Sequence, residues 1–361
     1  MSTLKTTPLN GWHKEFKAKM VDFAGWEMPV QYTGIINEHN HTREAASLFD
    51  ICHMGEFFLK GAGAKEGLGK IVSHNLDTLA VGKCRYGFML NEKGGVLDDL
   101  IVYCMAEDEY MLVVNGACEE SDFAWCQSHL PHGITFENRS AQTAKIDLQG
   151  PKALEALEQA LGTSFSHIKY FNFETVEFEN APMIVSRTGY TGELGYEFYL
   201  PTDKALSLWE SLMSVDFVEP AGLGARDTLR LELGYPLYGQ DLDTEHTPME
   251  AGYGFLLGGD NEFIGKDALG NVRQKLLALK IEGRRSARHH DKVLTTAGRE
   301  AGYITSGSIA PSLGHCIALA YVDVAEAERT RFKIKGARVE LDAERTELPF
   351  YTKGTARTKL S

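Results

Sequence analysis

The sequence contains no apolar run approaching the 18 residues of a membrane-crossing helix. Its first twenty residues, MSTLKTTPLNGWHKEFKAKM, hold no apolar stretch of the kind a secretory signal needs. They also lack arginine and include Glu15, which speaks against a mitochondrial leader. Positive charge is in deficit, since 37 Lys and Arg against 50 Asp and Glu leave a formal net charge of −13. That balance argues against nucleic acid as a partner, because phosphate binding needs a basic face. It equally disfavours docking on anionic membranes. Cysteine is scarce. Cys52, Cys84, Cys104, Cys118, Cys126 and Cys316 fit no zinc-ligand or Cys-x-x-Cys spacing. Cys104 and Cys118 lie inside apolar runs and read as small core residues, as in a reducing compartment. Disorder is excluded by 43% hydrophobic and 10% aromatic residues. A cytoplasmic chain of about two to three domains with a sizeable core is expected.

Strand signals come early, in GEFFLKG (55–61), DDLIVYCM (98–105) and EYMLVVNG (109–116). The polar Ala106-Glu107-Asp108 between the last two predicts a hairpin. Helical stretches run over 119–130, over 151–162 with Gly162 as the stop, and over 202–213 with Thr202 as the cap. TAKIDLQG, PMIVSRTGY and GYEFYLP are strand-like. Without regular βαβ alternation, an α+β fold is favoured over a doubly wound sheet. A Gly-rich, polar stretch at 257–275 marks a boundary, and the short strand-like segments after it predict a small C-terminal β-barrel.

Familiar nucleotide motifs fail. In GAGAKEGLGKI, Ala64 stands where a phosphate loop needs its first glycine and Ile71 where it needs Ser or Thr. Gly222-Leu-Gly224 and Gly252-Tyr-Gly254 lack the third glycine of a dinucleotide fingerprint. No Gly-x-Ser-x-Gly elbow exists. His39 and His41, two apart on a helix, point in different directions and read as a solvated face rather than metal ligands. The basic cluster around His289-His290 reads as a solvated loop, with an acidic docking partner as the alternative.

Four segments remain. In Gly94-Gly-Val-Leu-Asp98-Asp99-Leu-Ile-Val-Tyr103, strand periodicity sends Asp98, Leu100 and Val102 to one face and Asp99, Ile101 and Tyr103 to the other. The two carboxylates therefore cannot form a facing acid–base pair; a turn aspartate with a solvated neighbour is the bland alternative. In Arg187-Thr-Gly-Tyr190-Thr-Gly-Glu-Leu-Gly-Tyr-Glu197, the glycines permit tight turns. Beyond them Tyr196, Phe198 and Leu200 share one face, while Glu197 and Tyr199 share the other. A carboxylate there suits a flat heterocycle with adjacent N–H donors, or solvent. Gly222 to Gly234 reads as a glycine-ended helix with Arg226 and Arg230 one turn apart, suited to an anionic group or to pairing with Asp227 and Glu232. Gly302 to Gly314 reads as a turn-rich strand connector.

In order and spacing these segments resemble the glycine cleavage system T-protein family of aminomethyltransferases. The resemblance begins at Lys19–Tyr32 and Leu48–Glu56, and continues through Gly94–Ile101, Gly189–Glu197 and Gly224–Glu232. It ends with Tyr238–Asp241, Thr247–Ala251, Thr305–Gly307 and Pro311–Gly314. It implies a folate-binding region of two intertwined α/β parts over 1–265 and a small barrel over 275–355. It also implies a reaction. An aminomethyl group leaves the lipoyl arm of a carrier, the H-protein, its methylene carbon goes to tetrahydrofolate as co-substrate, and ammonia is released. By the same resemblance Asp99 is the catalytic carboxylate, Glu197 contacts the pterin, and Arg226 contacts the ligand. Met54, Tyr86, Asn115, Tyr170 and Tyr190 line the pocket, and no metal is implied.

The chain departs from the family pattern at Cys52, at Cys84-Arg85 and at its end, where Tyr351 or Arg357 is the candidate folate contact. The alternatives are a folate-dependent demethylase on the same scaffold and a non-catalytic folate-binding protein. The second lacks support because the chain has no Gly-Cys pair.

Overall fold

The computed structural model describes residues 3–257, 259, 261–337 and 339–360. Two β-sheets, a closed barrel and a short antiparallel ribbon (Lys19–Phe23 with Trp26–Gln31) form the framework of the described residues. The first sheet has six strands, in the order Phe173–Phe178, Ala181–Ser186, Gly195–Pro201, Thr143–Gln149, Ala46–Asp50 and Val218–Pro220. The second has five, in the order Cys84–Leu90, Val96–Ala106, Glu109–Val114, Gly55–Lys60 and Thr135–Asn138. Every strand of the second sheet lies in sequence between Ala46–Asp50 and Thr143–Gln149, which pair antiparallel in the first. The two α/β parts are thus intertwined, as the family resemblance implied.

Side-chain alternation places the strands. Tyr196, Phe198 and Leu200 enter the core that Trp12, Leu148 and the helix Ala205–Met213 share. Leu100, Val102 and Cys104 enter a second core under the helix Glu119–His129. The opposite faces meet between the sheets, where Tyr103, Met111 and Val113 pack against Phe173, Ile184 and Tyr199. Burying such side chains stabilises by roughly 1.5–3 kcal/mol each.

The hairpin turns at Glu107-Asp108, with Ala106 opposite Glu109 and Asp108 in the left-handed region (φ 53°). The helix Ala153–Leu161 stops at left-handed Gly162. The helix expected from Thr202 starts at Ala205 instead. Residues Thr202–Lys204 form a 3₁₀ turn, and Thr202 makes no capping hydrogen bond. GAGAKEGLGKI forms the short helix Ala64–Gly69.

Six strands, Gln274–Ile281, Lys292–Thr295, Glu300–Ala310, His315–Asp323, Arg331–Lys335 and Glu340–Thr346, close the C-terminal barrel. The segment expected as a connector from Gly302 is continuous strand to Ala310 with one irregularity near Ser306, because it pairs with His315–Asp323 along its length. Residues 258 and 260 of the boundary stretch lie outside the described residues. The barrel joins the rest through the helix Leu223–Glu232, whose Leu231 packs on Ala278, Ala310, Ile317 and Leu319.

His39 corrects the expectation of a solvated helix face, because it is fully buried. Its Nδ1 meets Thr228 Oγ1 at 2.8 Å and its Nε2 meets Ser312 Oγ at 3.0 Å and Glu232 Oε2 at 3.3 Å. The histidine links three segments distant in sequence. Half-buried His41 is bonded to the Ala46 and Phe217 carbonyls at 3.1 Å. No helix among the described residues is long and apolar enough to cross a membrane.

Candidate active site

Asp99 sits on the strand Val96–Ala106, on the face turned between the sheets. Tyr86, on the neighbouring strand, donates its hydroxyl to Asp99 Oδ2 at 2.9 Å. Asn115, just beyond Glu109–Val114, donates its side-chain nitrogen to Asp99 Oδ1 at 2.9 Å. Both oxygens are therefore held from opposite sides, which fixes the carboxylate plane. Burial, then the charge of Asp98, push the Asp99 carboxyl up to about 7.

Asp98 is neither a turn residue nor solvated; it is fully buried on the opposite face. Its two oxygens accept the Asn115 backbone N–H at 2.9 Å and the Asn115 side-chain amide at 2.8 Å. The alternation reading holds, and one asparagine at the strand end touches both carboxylates.

Glu197 lies on the strand Gly195–Pro201, beside Tyr199 on the inter-sheet face. Lys145 reaches its Oε1 at 3.0 Å and Thr188 donates to its Oε2 at 2.5 Å. Lys145 also donates to Met54 Sδ at 3.3 Å, which brings Met54 to this group. Burial opposes ionisation of Glu197, yet Lys145 and the Thr188 hydroxyl hold its carboxyl below the ordinary range. The glycines before it serve mostly close packing. A Cβ on Gly189 or Gly195 would sit 2.1 or 1.9 Å from the Gln149 side chain, and only Gly192 has a left-handed φ (81°) among the three glycines from Gly189 to Gly195.

Arg226 pairs with Asp147 at 2.6 Å, rather than with Asp227 or Glu232. Its guanidinium lies 5.0 Å from the centre of the Tyr190 ring. Tyr190 donates to the Pro236 carbonyl and stacks on Tyr235, ring centres 5.9 Å apart. The Arg357 guanidinium lies 5.9 Å from the centre of the Tyr170 ring. Tyr351 lies elsewhere, 4.2 Å from the Arg43 guanidinium, which itself pairs with Glu193 and Glu232. Arg230 is fully buried and committed to Asp241 at 2.7 Å and Asp227 at 2.8 Å, so the two arginines of the helix do not act together on one anion.

Two site-forming residues, Lys145 and Asp147, were not singled out in the sequence. The signal was present, because TAKIDLQG alternates Lys145, Asp147 and Gln149 with the core residues Ala144, Ile146 and Leu148. Glu56 and His53 were likewise passed over. Both Glu56 oxygens and His53 Nδ1 are buried and have no hydrogen-bond partner among the described residues. Burial pushes the Glu56 carboxyl well above its usual range and His53 down to about 4, so both favour neutral forms. A surface cleft of about 750 Å³ lined by Glu92, Lys93, Asp267 and Arg273 contains none of these groups.

Asp99 on one sheet and the salt-bridged Glu197 on the other both lie on the faces turned between the sheets, among aromatic residues, a setting suited to an enzyme that holds a flat polar substrate beside a fixed carboxylate. Residues 9–261 match the GCVT N-terminal domain, and residues 274–352 match the glycine cleavage T-protein C-terminal barrel domain. An aminomethyltransferase of Halothermothrix orenii is 44% identical over 328 residues, 88% of this chain and 92% of that protein. One of Thermotoga petrophila is 41% identical over 368 residues, 99% of this chain and all of that protein. The crystal structure of glycine cleavage system aminomethyltransferase T from Bartonella henselae superposes with a TM-score of 0.92 at 32% identity, covering 98% of this chain and 99% of that one. The chain belongs to the glycine cleavage T-protein family, and its activity is that of an aminomethyltransferase of the glycine cleavage system.

Proposed function

We propose that the chain takes the aminomethyl group from the dihydrolipoyl arm of an H-protein and passes its methylene carbon to tetrahydrofolate. Ammonia, 5,10-methylenetetrahydrofolate and the dihydrolipoyl arm with its thiol restored are the products. The observation that carries the reading is Asp99, clamped by Tyr86 and Asn115 on the face turned toward the other sheet. Tetrahydrofolate supplies the attacking nitrogen. As ammonia leaves the carbon between sulfur and nitrogen, positive charge builds there, and a fixed carboxylate opposite that charge stabilises it without reorganising. A carboxyl raised to about 7 is also matched to accepting the proton of the attacking nitrogen near neutrality.

Glu197 is the pterin contact in this reading. Lys145 and Thr188 each use one lone pair of its oxygens, which leaves acceptor capacity for adjacent ring N–H groups. The unpartnered Glu56 oxygens and His53 Nδ1, on either side of Met54, fit a polar heterocycle that would satisfy them. Tyr170 and Tyr190 supply aromatic walls. Arg226 faces the ligand from beside Tyr190, and Arg357, beside Tyr170, suits the anionic end of the folate better than Tyr351 does. No residue role here calls for a metal. The region 1–265 binds and transforms, and the barrel over 275–355 braces it. The six free, buried cysteines suit the reducing cytoplasm.

The test is a turnover assay with tetrahydrofolate and aminomethylated H-protein, following ammonia and methylenetetrahydrofolate together. Both products in equal amounts are expected; folate binding without either overturns the reading.

A further inference from the structure

Behind Asp99, on the far side of its strand, lies a group of buried polar residues the transfer reaction does not use. Asp98, Cys118 and Asp122 offer side-chain atoms all within 4.8 Å of one another, and all three are buried. Asp122 projects from the helix Glu119–His129, and one of its oxygens, Oδ2, has no hydrogen-bond donor among the described residues. Asp98 is different, with two donors from Asn115, one on each oxygen. Among the described residues neither carboxyl forms an ion pair with a Lys, Arg or His. The titratable groups facing Asp122 are Asp98 and Asp99 from the strand, Cys118 at the start of its own helix and Cys126 within it. Tyr238 approaches from the loop beyond the helix Leu223–Glu232. None of them is a cation.

Two carboxylates cannot both stay ionised in such a place, because burial and mutual repulsion favour the loss of one charge. The donors decide which. Asp98, with both oxygens supplied, is the ionised member, and Asp122, with an oxygen no donor reaches, carries the proton and donates it to Asp98. Burial and then the Asp98 charge push the Asp122 carboxyl up to about 10, in the same direction.

The link to the reacting side is Asn115. Its side-chain nitrogen reaches Asp98 Oδ1 at 2.8 Å, Asp99 Oδ1 at 2.9 Å and the Asp99 carbonyl at 3.1 Å, with two hydrogens for three acceptors. How Asp98 holds that amide sets how Asp99 is held. We propose that Asp98 and Asp122 share one proton, and that this singly charged pair, acting through the Asn115 amide, makes Asp122 a positioning residue for Asp99. The proton stays within the pair during turnover; it fixes geometry and charge and is not delivered to the substrates. The inference rests on the reading of Asp99 as the catalytic carboxylate, and it predicts a feature visible without turnover.

The experiment combines infrared spectroscopy with pH-dependent kinetics on the full chain. At pH 8.5, above the Asp99 transition, subtracting the spectrum of Asp122→Asn from that of the unmodified protein, which cancels the neutral Glu56, should leave the carbonyl stretch of a buried protonated carboxylic acid, and the same band should be retained in Asp99→Asn. Asp122→Leu, which removes the donor, should lower kcat at least tenfold with KM for tetrahydrofolate within twofold. Asp122→Asn, which keeps a neutral donor, should recover most of that loss. Asp98→Asn should move the acidic limb of kcat to lower pH, because the charge that raises Asp99 is gone. Absence of the band overturns the shared proton whether or not Asp99 is catalytic. Equal loss of kcat in Asp122→Leu and Asp122→Asn with an unmoved limb reduces Asp122 to packing and overturns its positioning role. Activity abolished by a chelator and restored by zinc would make the group a metal site and overturn the proposal. Undiminished turnover in Asp99→Asn, with the band intact, would instead remove the catalytic reading on which the positioning role stands.

Discussion

Glu197 and Asp147 stand directly opposite each other on adjacent antiparallel strands, two buried carboxylates in one cross-strand pair. Like charges so placed repel, and the sequence compensates from two directions. Lys145, two residues before Asp147 on the same strand, crosses to Glu197 at 3.0 Å, while Arg226 comes from a helix to Asp147 at 2.6 Å. Compensation is incomplete for Asp147. Burial pushes its carboxyl up, Arg226 pulls it down, Glu197 pushes it up again, and it ends at about 7. The outcome is a group in which Glu197 keeps its charge at neutral pH, as a carboxylate meant to accept N–H bonds must.

Lys145 is accordingly expected to be costly to remove. Lys145→Met would leave Glu197 buried without its cation, and losing one partner of a buried pair costs about 3–5 kcal/mol. Urea unfolding should show that loss, together with weaker tetrahydrofolate binding. The double variant Lys145→Met/Glu197→Gln should recover stability but not binding, since the stranded charge is gone while the acceptor pair is not restored. A Lys145→Met loss below about 1 kcal/mol, the range of exposed pairs, would contradict this picture.

Asp99→Asn keeps the shape of the clamp and removes the charge. Tetrahydrofolate affinity should stay within a few-fold, while kcat falls by about 10²–10⁴, the scale of a positioned acid–base group. In the unmodified protein the acid form dominates below about 7 and the carboxylate above it, so kcat should climb through neutrality and level off on the alkaline side. A profile flat from pH 5 to 9, or full activity in the asparagine variant, would refute the assignment.

Much of this was legible in the sequence, and the reason is period two. Alternation separated Asp98 from Asp99 and Glu197 from Tyr196, and the structure keeps those faces. The α+β order, the closed barrel and the hairpin at Glu107-Asp108 likewise follow from strand spacing and turn residues. What the sequence hid were partnerships across long separations. The environment of His39 depends on Thr228, Glu232 and Ser312, and that of Arg226 on Asp147. No local pattern announces that a histidine on a polar helix will be covered by two other segments. Thr202 failed as a cap for a local reason, since a 3₁₀ turn intervenes before the helix begins.

Arg230 and Asp241 tie the helix Leu223–Glu232 to the barrel. Asp241 accepts from Arg230 at 2.7 Å, from Thr305 at 2.5 Å, from Ser306 at 2.8 Å and from the Leu237 N–H at 2.9 Å. Thr305 and Ser306 belong to the barrel strand Glu300–Ala310, so this one carboxylate spans the join. Asp241→Ala should cost about 3–5 kcal/mol by removing the buried counter-charge of Arg230 and leaving it only the exposed Asp227. Asp227→Ala removes the half-exposed partner of the same arginine and should cost no more than about 1 kcal/mol. Thermal unfolding of the two variants reads the contrast; equal losses would mean that burial does not set the strength of these pairs.

Gly116 offers a test of how closely the clamp around Asp99 depends on backbone approach. It directly follows Asn115, and a Cβ there would lie 2.0 Å from the carbonyl oxygen of His53 and 3.0 Å from its carbonyl carbon. Those are backbone atoms on the segment that carries Met54, so no side-chain rotation relieves the collision. Gly116→Ala must separate the two segments, shifting Asn115 and with it the hydrogen bonds to Asp98 and Asp99. A stability loss of about 1–3 kcal/mol is expected, the scale of overpacking, with a larger proportional fall in kcat than in folate affinity because the clamp rather than Glu197 is displaced. Gly11→Ala is the control. It lies in the helix Asn10–Glu15 with nothing within 4 Å of the added Cβ, and there alanine should stabilise by up to about 1 kcal/mol. If Gly116→Ala instead retained kcat within twofold while losing stability, Asn115 would not be the residue that transmits backbone position to Asp99.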